Sequence, residues 1–104
     1  MTSTEDPPSP AQCRHLRGLA HTRKPVVRVA QKGLNDKVLA EIDQALLAHE
    51  LIKVSIRVGD RSLRDRLVAD ICGQSGATLV QRIGNVATFY RRHPQRPVIA
   101  LPTT

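Results

Sequence analysis

Between Lys24 and Asp36 the chain changes periodicity within a few residues. A short apolar run with a basic residue inside it, Val26-Val27-Arg28-Val29, stops at Gln31-Lys32-Gly33, and an amphipathic pattern starts at once. That is a strand, a tight turn and a helix. The turn carries a glycine and a lysine where backbone N–H groups and a positive charge can meet a phosphate. Any fold built around this stretch contains both helix and strand, and the other elements must pack against it.

The rest of the chain supplies those elements in a regular order. Ser9 is a plausible N-cap with Pro10 at the first helical position, and Cys13, Leu16, Leu19 and Ala20 line one side of a helix ending near Ala20. Pro25 forces Lys24 into an extended conformation. After the turn, Asn35 caps a second helix with Val38, Leu39, Ile42, Ala45 and Leu46 at helical spacing, ending near His49-Glu50. Leu51 to Val58 alternates, with Ile52, Val54, Ile56 and Val58 on one face and Lys53, Ser55 and Arg57 on the other. Asp60 or Ser62 caps a third helix along Leu63, Leu67, Val68, Ile71 and Cys72, and Gly76 stops it. Ala77 to Ile83 and Val86 to Arg91 are two strands joined by a Gly84-Asn85 hairpin.

The predicted order is helix, strand, helix, strand, helix, strand, strand: an α/β (α+β) two-layer sandwich on a four-stranded mixed sheet. Residues 1–8 are expected to form a disordered tail, 9–93 the domain, and 94–104 an extended Pro-containing tail whose Val98 to Leu101 lies against the domain. With 104 residues there is room for one domain, and aromatics at 2% leave Leu, Val, Ile and Ala to build its core. Cys13 and Cys72 fall on helical apolar stripes and are expected to be buried, reduced thiols. No apolar run approaches a membrane span, and Met1 to Pro10 lacks the apolar stretch of a signal peptide, so a cytoplasmic protein is expected.

Charge narrows the function. The formal net charge is +7. From Ala11 to Gly33, Arg14, Arg17, Arg23, Lys24, Arg28 and Lys32 are accompanied by no acid. From Ile71 to Thr104, Arg82, Arg91, Arg92 and Arg96 again have none. The second helix, by contrast, holds Asp36, Glu41, Asp43 and Glu50 against Lys37. A fold that brings the basic segments together has one positive face, suited to a polyanion. Arg57, Arg61, Arg64 and Arg66 are expected to be mainly solvated and partly paired with Asp60, Asp65 and Asp70. Phe89 and Tyr90 alternate faces, one in the core and one exposed.

Several of these residues, taken together, resemble a known family. Leu16-Arg17-Gly18-Leu19-Ala20-His21, Lys24-Pro25-Val26-Val27, Lys32-Gly33-Leu34, His49-Glu50-Leu51-Ile52-Lys53-Val54, Ile83-Gly84 and Tyr90-Arg91 resemble, in order and spacing, the CRM domain (chloroplast RNA splicing and ribosome maturation), and within it the small stand-alone bacterial YhbY-like proteins. The resemblance covers roughly residues 11–101. It implies a fold similar to the C-terminal domain of translation initiation factor three and RNA binding without catalysis. It also implies association of bacterial members with precursors of the large ribosomal subunit. The family's signature GxxG loop corresponds to Ala30-Gln31-Lys32-Gly33, with alanine in place of the first glycine. Ala30, Gln31, Lys32, Gly33, Arg14, Arg17, Arg23, Lys24, Arg28 and Arg91 are therefore the expected RNA contacts. Ribosomal RNA is the expected partner of a monomer with no cofactor, metal, membrane or small-molecule substrate. Two other readings stand beside this one: an adaptor that docks protein on the Glu41/Asp43/Glu50 face of the second helix, and a small ribonuclease using His21.

Overall fold

The computed structural model describes residues 7–103; most of the expected disordered tail, residues 1–6, lies outside the described residues. Seven elements follow in the predicted order: α1 (Pro10–Ala20), β1 (Pro25–Val29), α2 (Asp36–His49), β2 (Leu51–Ile56), α3 (Arg61–Ser75), β3 (Thr78–Ile83) and β4 (Val86–Tyr90). Each helix begins where a short polar side chain takes up its free amides. Ser9 Oγ accepts the Gln12 N–H while the Gln12 side chain accepts the Ser9 N–H, a reciprocal cap with Pro10 just inside it. Asn35 Oδ1 accepts from the Val38 N–H at 2.9 Å, and Asp60 Oδ1 from the Ser62 N–H at 2.9 Å. At the far end of α3, Gly76 adopts φ 77° and donates its N–H to the Cys72 carbonyl.

The strands assemble in the order β1-β2-β4-β3. β1 and β2 run parallel, with α2 as the crossover that a parallel pair requires. β4 is antiparallel to both of its neighbours. Alternation then decides what each strand buries. Val27 and Val29, Ile52, Val54 and Ile56, and Ala87 and Phe89 point to one side, where they meet Ile42 and Leu46 of α2 and Leu67, Val68 and Ile71 of α3. This is the main core, and burying each of its large aliphatic or aromatic side chains stabilises the fold by about 1.5–3 kcal/mol before entropy is counted.

Leu51, Val80 and Tyr90 point to the other side, against Leu16 and Ala20 of α1, with Leu19, Ile99 and Leu101 at the margin. The helix pair α2/α3 thus forms the second layer of the body, while α1 and the C-terminal segment close part of the opposite sheet face. That cover corrects one expectation. Tyr90 is buried like Phe89, so neither aromatic ring is exposed. Cys13 and Cys72 are free and half-buried, on helices either side of the sheet. Burial pushes the Cys72 thiol pKa up, against a smaller lowering by the Leu79 backbone.

Candidate nucleic-acid interface

The turn after β1 is closed by one hydrogen bond, from the Gly33 N–H to the Ala30 carbonyl at 2.8 Å. Gln31 and Lys32 are its central residues and are exposed. Gly33 has φ 75°, the left-handed region that favours glycine. A methyl added there meets only Leu67 Cδ2 at 3.7 Å, ordinary contact, so the backbone angle and not crowding demands the glycine. Ala30 makes no such demand, since Glu50 is the one non-glycine with positive φ among the described residues. Alanine therefore occupies the first loop position without a left-handed backbone angle.

The parallel pairing of β1 and β2 decides what lies beside this turn. Val29 is in register with Ile56, so the residues following both strands leave the sheet at the same end. The Arg57 N–H donates to the Val29 carbonyl at 2.7 Å, and the Ile56 N–H to the Asn85 carbonyl at 2.7 Å, which brings the β3–β4 hairpin to that end too. Here α3 begins, with exposed Arg61 in a first turn that contains no acid. Exposed Lys32, Arg57 and Arg61 therefore rise from the same end as the N-termini of α2 and α3, whose partial positive charges are in part met by Asp36 and by the Asp60 cap. Arg57 is aimed by its Nε–H, which donates to Ser55 Oγ at 3.2 Å. Arg64, one turn into α3, has a buried Nε without a hydrogen-bond partner among the described residues.

Arg57, Arg61 and Arg64 are absent from the sequence-based contacts, and their expected pairing differs from what is observed. Asp65 is bound by Arg82 at 2.5 Å, and Asp60 caps α3. The signal that locates these arginines is the parallel β1/β2 register, which no local pattern carries.

The other predicted contacts divide by position. Arg28 is exposed on the face of β1 opposite the main core, in register with Ser55. Arg23 and Lys24 lie at the far end of β1, about 17 Å from the turn at ~3.3 Å per strand residue. The Arg23 guanidinium donates to the Leu51 carbonyl at 2.6 Å and so holds the α1–β1 connector against β2. Arg14 is exposed and Arg17 half-buried on α1, which lies over β2, β3 and β4. The structure places Arg91 elsewhere. Its guanidinium donates to Asp43 Oδ1 and to the Ser75 carbonyl, both at 2.8 Å, tying the middle of α2 and the end of α3 to the residue that follows β4. With Asp43 half exposed, Arg91→Ala is expected to lower stability in urea unfolding by about 1–2 kcal/mol, mostly through the orphaned helix carbonyl.

The acidic docking face expected on the second helix is not assembled. Glu41 is exposed, but Asp43 is engaged by Arg91. Glu50 is completely buried, with its carboxylate accepting the N–H groups of His93, Val98 and Ile99. His21 is an exposed helix-end residue whose N–H donates to the Gly18 carbonyl. No group of three or more His, Cys, Asp or Glu among the described residues is placed to hold a metal ion, and no described helix is long and apolar enough to cross a membrane.

Comparison with known proteins agrees with the fold. The family model for the CRS1 / YhbY (CRM) domain matches residues 9–91. The chain is 43% identical over 84 residues to a Pseudomonas aeruginosa protein named "Probable RNA-binding protein PA4753", covering 81% of each chain. It is 42% identical over 83 residues to a Haemophilus influenzae protein named "RNA-binding protein", covering 80% of this chain and 84% of that one. Among solved structures, the solution structure of the hypothetical protein SAV1595 from Staphylococcus aureus superimposes with a TM-score of 0.78 at 30% identity, over 91% of this chain and 99% of the other.

Proposed function

The chain belongs to the CRS1 / YhbY (CRM) domain family, and we propose that it is a non-catalytic RNA-binding protein that binds ribosomal RNA within precursors of the large subunit and assists their assembly. One observation carries the RNA reading. An exposed lysine on a glycine-closed turn stands at the same sheet end as Arg57, Arg61 and two helix N-termini, on a chain of net charge +7. Such a surface holds a sugar-phosphate backbone by charge and by amide hydrogen bonds. Both aromatic rings are buried, so stacking on them contributes nothing and charge must supply most of the affinity. The ribosomal target rests on the family resemblance. A cytoplasmic, monomeric protein fits that role.

Gradient sedimentation of cell extracts is the direct test. At low salt the protein is expected to travel with precursors of the large subunit. With purified RNA, its affinity is expected to fall with a log–log salt slope of roughly −3, as for about four phosphate contacts. Absence from every pre-ribosomal fraction at low salt, with RNA binding intact, removes the ribosomal target. A flat salt dependence removes the electrostatic mode.

A further inference from the structure

At the end of β1 remote from the turn lies a groove of about 430 Å³ between the α1–β1 connector, the start of β2 and the C-terminal segment. Its apolar lining comes from Val26, Leu51 and Val98, and its polar rim from Lys24, Lys53 and His49. None of the described residues that line it is acidic. Both walls are fastened. Arg23 pins the connector to the Leu51 carbonyl, and Glu50 Oε1 accepts the Val98 N–H at 2.9 Å. The groove is thus preformed, as ligand clefts of this size usually are.

Its position gives it a partner. α1 lies over β2, β3 and β4, which leaves the corresponding face of β1 open, with Val26 53% exposed and Arg28 exposed beyond it. That face runs from the groove to the Lys32 turn. A cationic rim around an apolar floor is complementary to a nucleotide: the flat base lies on Val26 and Val98 while the flanking phosphates reach Lys24 and Lys53. A base paired inside a helix cannot enter such a groove, whereas an unpaired one can.

Building on the RNA-binding reading above, we propose that this groove is a second contact site that takes an unpaired nucleotide of the same RNA whose backbone lies on the Lys32 turn, with Arg28 along the strand between them. The site adds Lys53, His49, Val26 and Val98 to the binding surface. It also gives the protein a preference for RNA in which a helix borders a single strand.

The test compares two RNA probes, a blunt hairpin and the same hairpin with a short single-stranded extension, bound to the wild type and to Lys24→Ala/Lys53→Ala. The wild type is expected to bind the extended hairpin about tenfold more tightly, and the double variant to bind the two probes alike. Thiouridine placed in the extension is expected to crosslink to the Val26 and Lys53 segments. Lys24→Glu, at an exposed connector position, gives a second reading if the double variant folds poorly. A wild type without preference for the extension, or groove variants that retain it while Lys32→Glu loses both probes, overturns the groove and leaves the turn standing. Failure of the wild type to bind either RNA overturns both sites together.

Discussion

Replacing Lys32 and Arg57 together by glutamate is expected to lower the affinity for an RNA hairpin about 100-fold or more at low salt, and to flatten the log–log salt slope by about two contacts. Each substitution puts a negative charge where an exposed positive one stood, at the sheet end toward which α2 and α3 point their N-termini. The fold should hardly notice. Lys32 is a solvated turn residue, and Arg57 gives up only a 3.2 Å bond to Ser55 Oγ, so the change in stability should stay within about 0.5–1 kcal/mol. Two further variants separate charge from backbone. Ala30→Gly should bind RNA as well as the wild type or better, because residue 30 does not occupy a left-handed angle. Gly33→Asp should bind more weakly in a domain that stays folded, since the φ of 75° costs a non-glycine residue about 1–2 kcal/mol and the added carboxylate stands at the turn. A folded Lys32→Glu/Arg57→Glu protein with wild-type affinity would end the case for this end of the sheet.

The two charges in that variant differ in how they can be found from sequence. Lys32 lies in a turn flanked by a strand pattern and a helix pattern, both local, so its position follows from a dozen neighbouring residues. The same holds for the caps at Ser9, Asn35 and Asp60, the stop at Gly76 and the Gly84-Asn85 hairpin, which the structure places within a residue or two of expectation. Arg57 stands beside Lys32 only because β2 is the parallel neighbour of β1, a pairing between residues far apart in the chain that no periodicity encodes. Arg91 errs in the opposite direction. It follows a strand in an acid-free stretch, so composition assigns it to the basic face, yet its partners Asp43 and Ser75 come from two helices on the main-core side. Tyr90 shows the same limit. Alternation with Phe89 sends it to the second sheet face, and the packing of α1 and the C-terminal segment buries it there.

Glu50 is the residue whose role the sequence hides most, and its replacement by alanine should produce the largest loss of stability of any single charge change in the chain. On a helical net it extends the acidic side of α2 toward solvent. In the fold it is the residue past the helix end, at φ 63°, with its N–H on the Leu46 carbonyl and its side chain turned inward. Oε2 accepts the His93 N–H at 2.7 Å, and Oε1 accepts those of Val98 and Ile99 at 2.9 and 2.7 Å. Without the carboxylate, these amides either remain buried and unpaired, at about 1–3 kcal/mol each, or leave for water and take Ile99 and Leu101 off the α1 side of the sheet. Undocking is the cheaper course. Glu50→Ala should therefore cost about 2–4 kcal/mol in urea unfolding, and amide exchange across residues 93–101 should accelerate. Glu50→Gln should fall between, because its carbonyl oxygen still serves Val98 and Ile99 while its NH₂ faces the His93 N–H, donor against donor. Glu50→Gly separates the two burdens at this position. It loses the carboxylate but relieves the left-handed backbone, so it should be more stable than the alanine variant by about 1 kcal/mol with an equally mobile tail. An alanine variant whose segment 93–101 exchanges as slowly as the wild type would show that Ile99 and Leu101 alone hold the tail. The fastened wall of the groove would then owe nothing to Glu50.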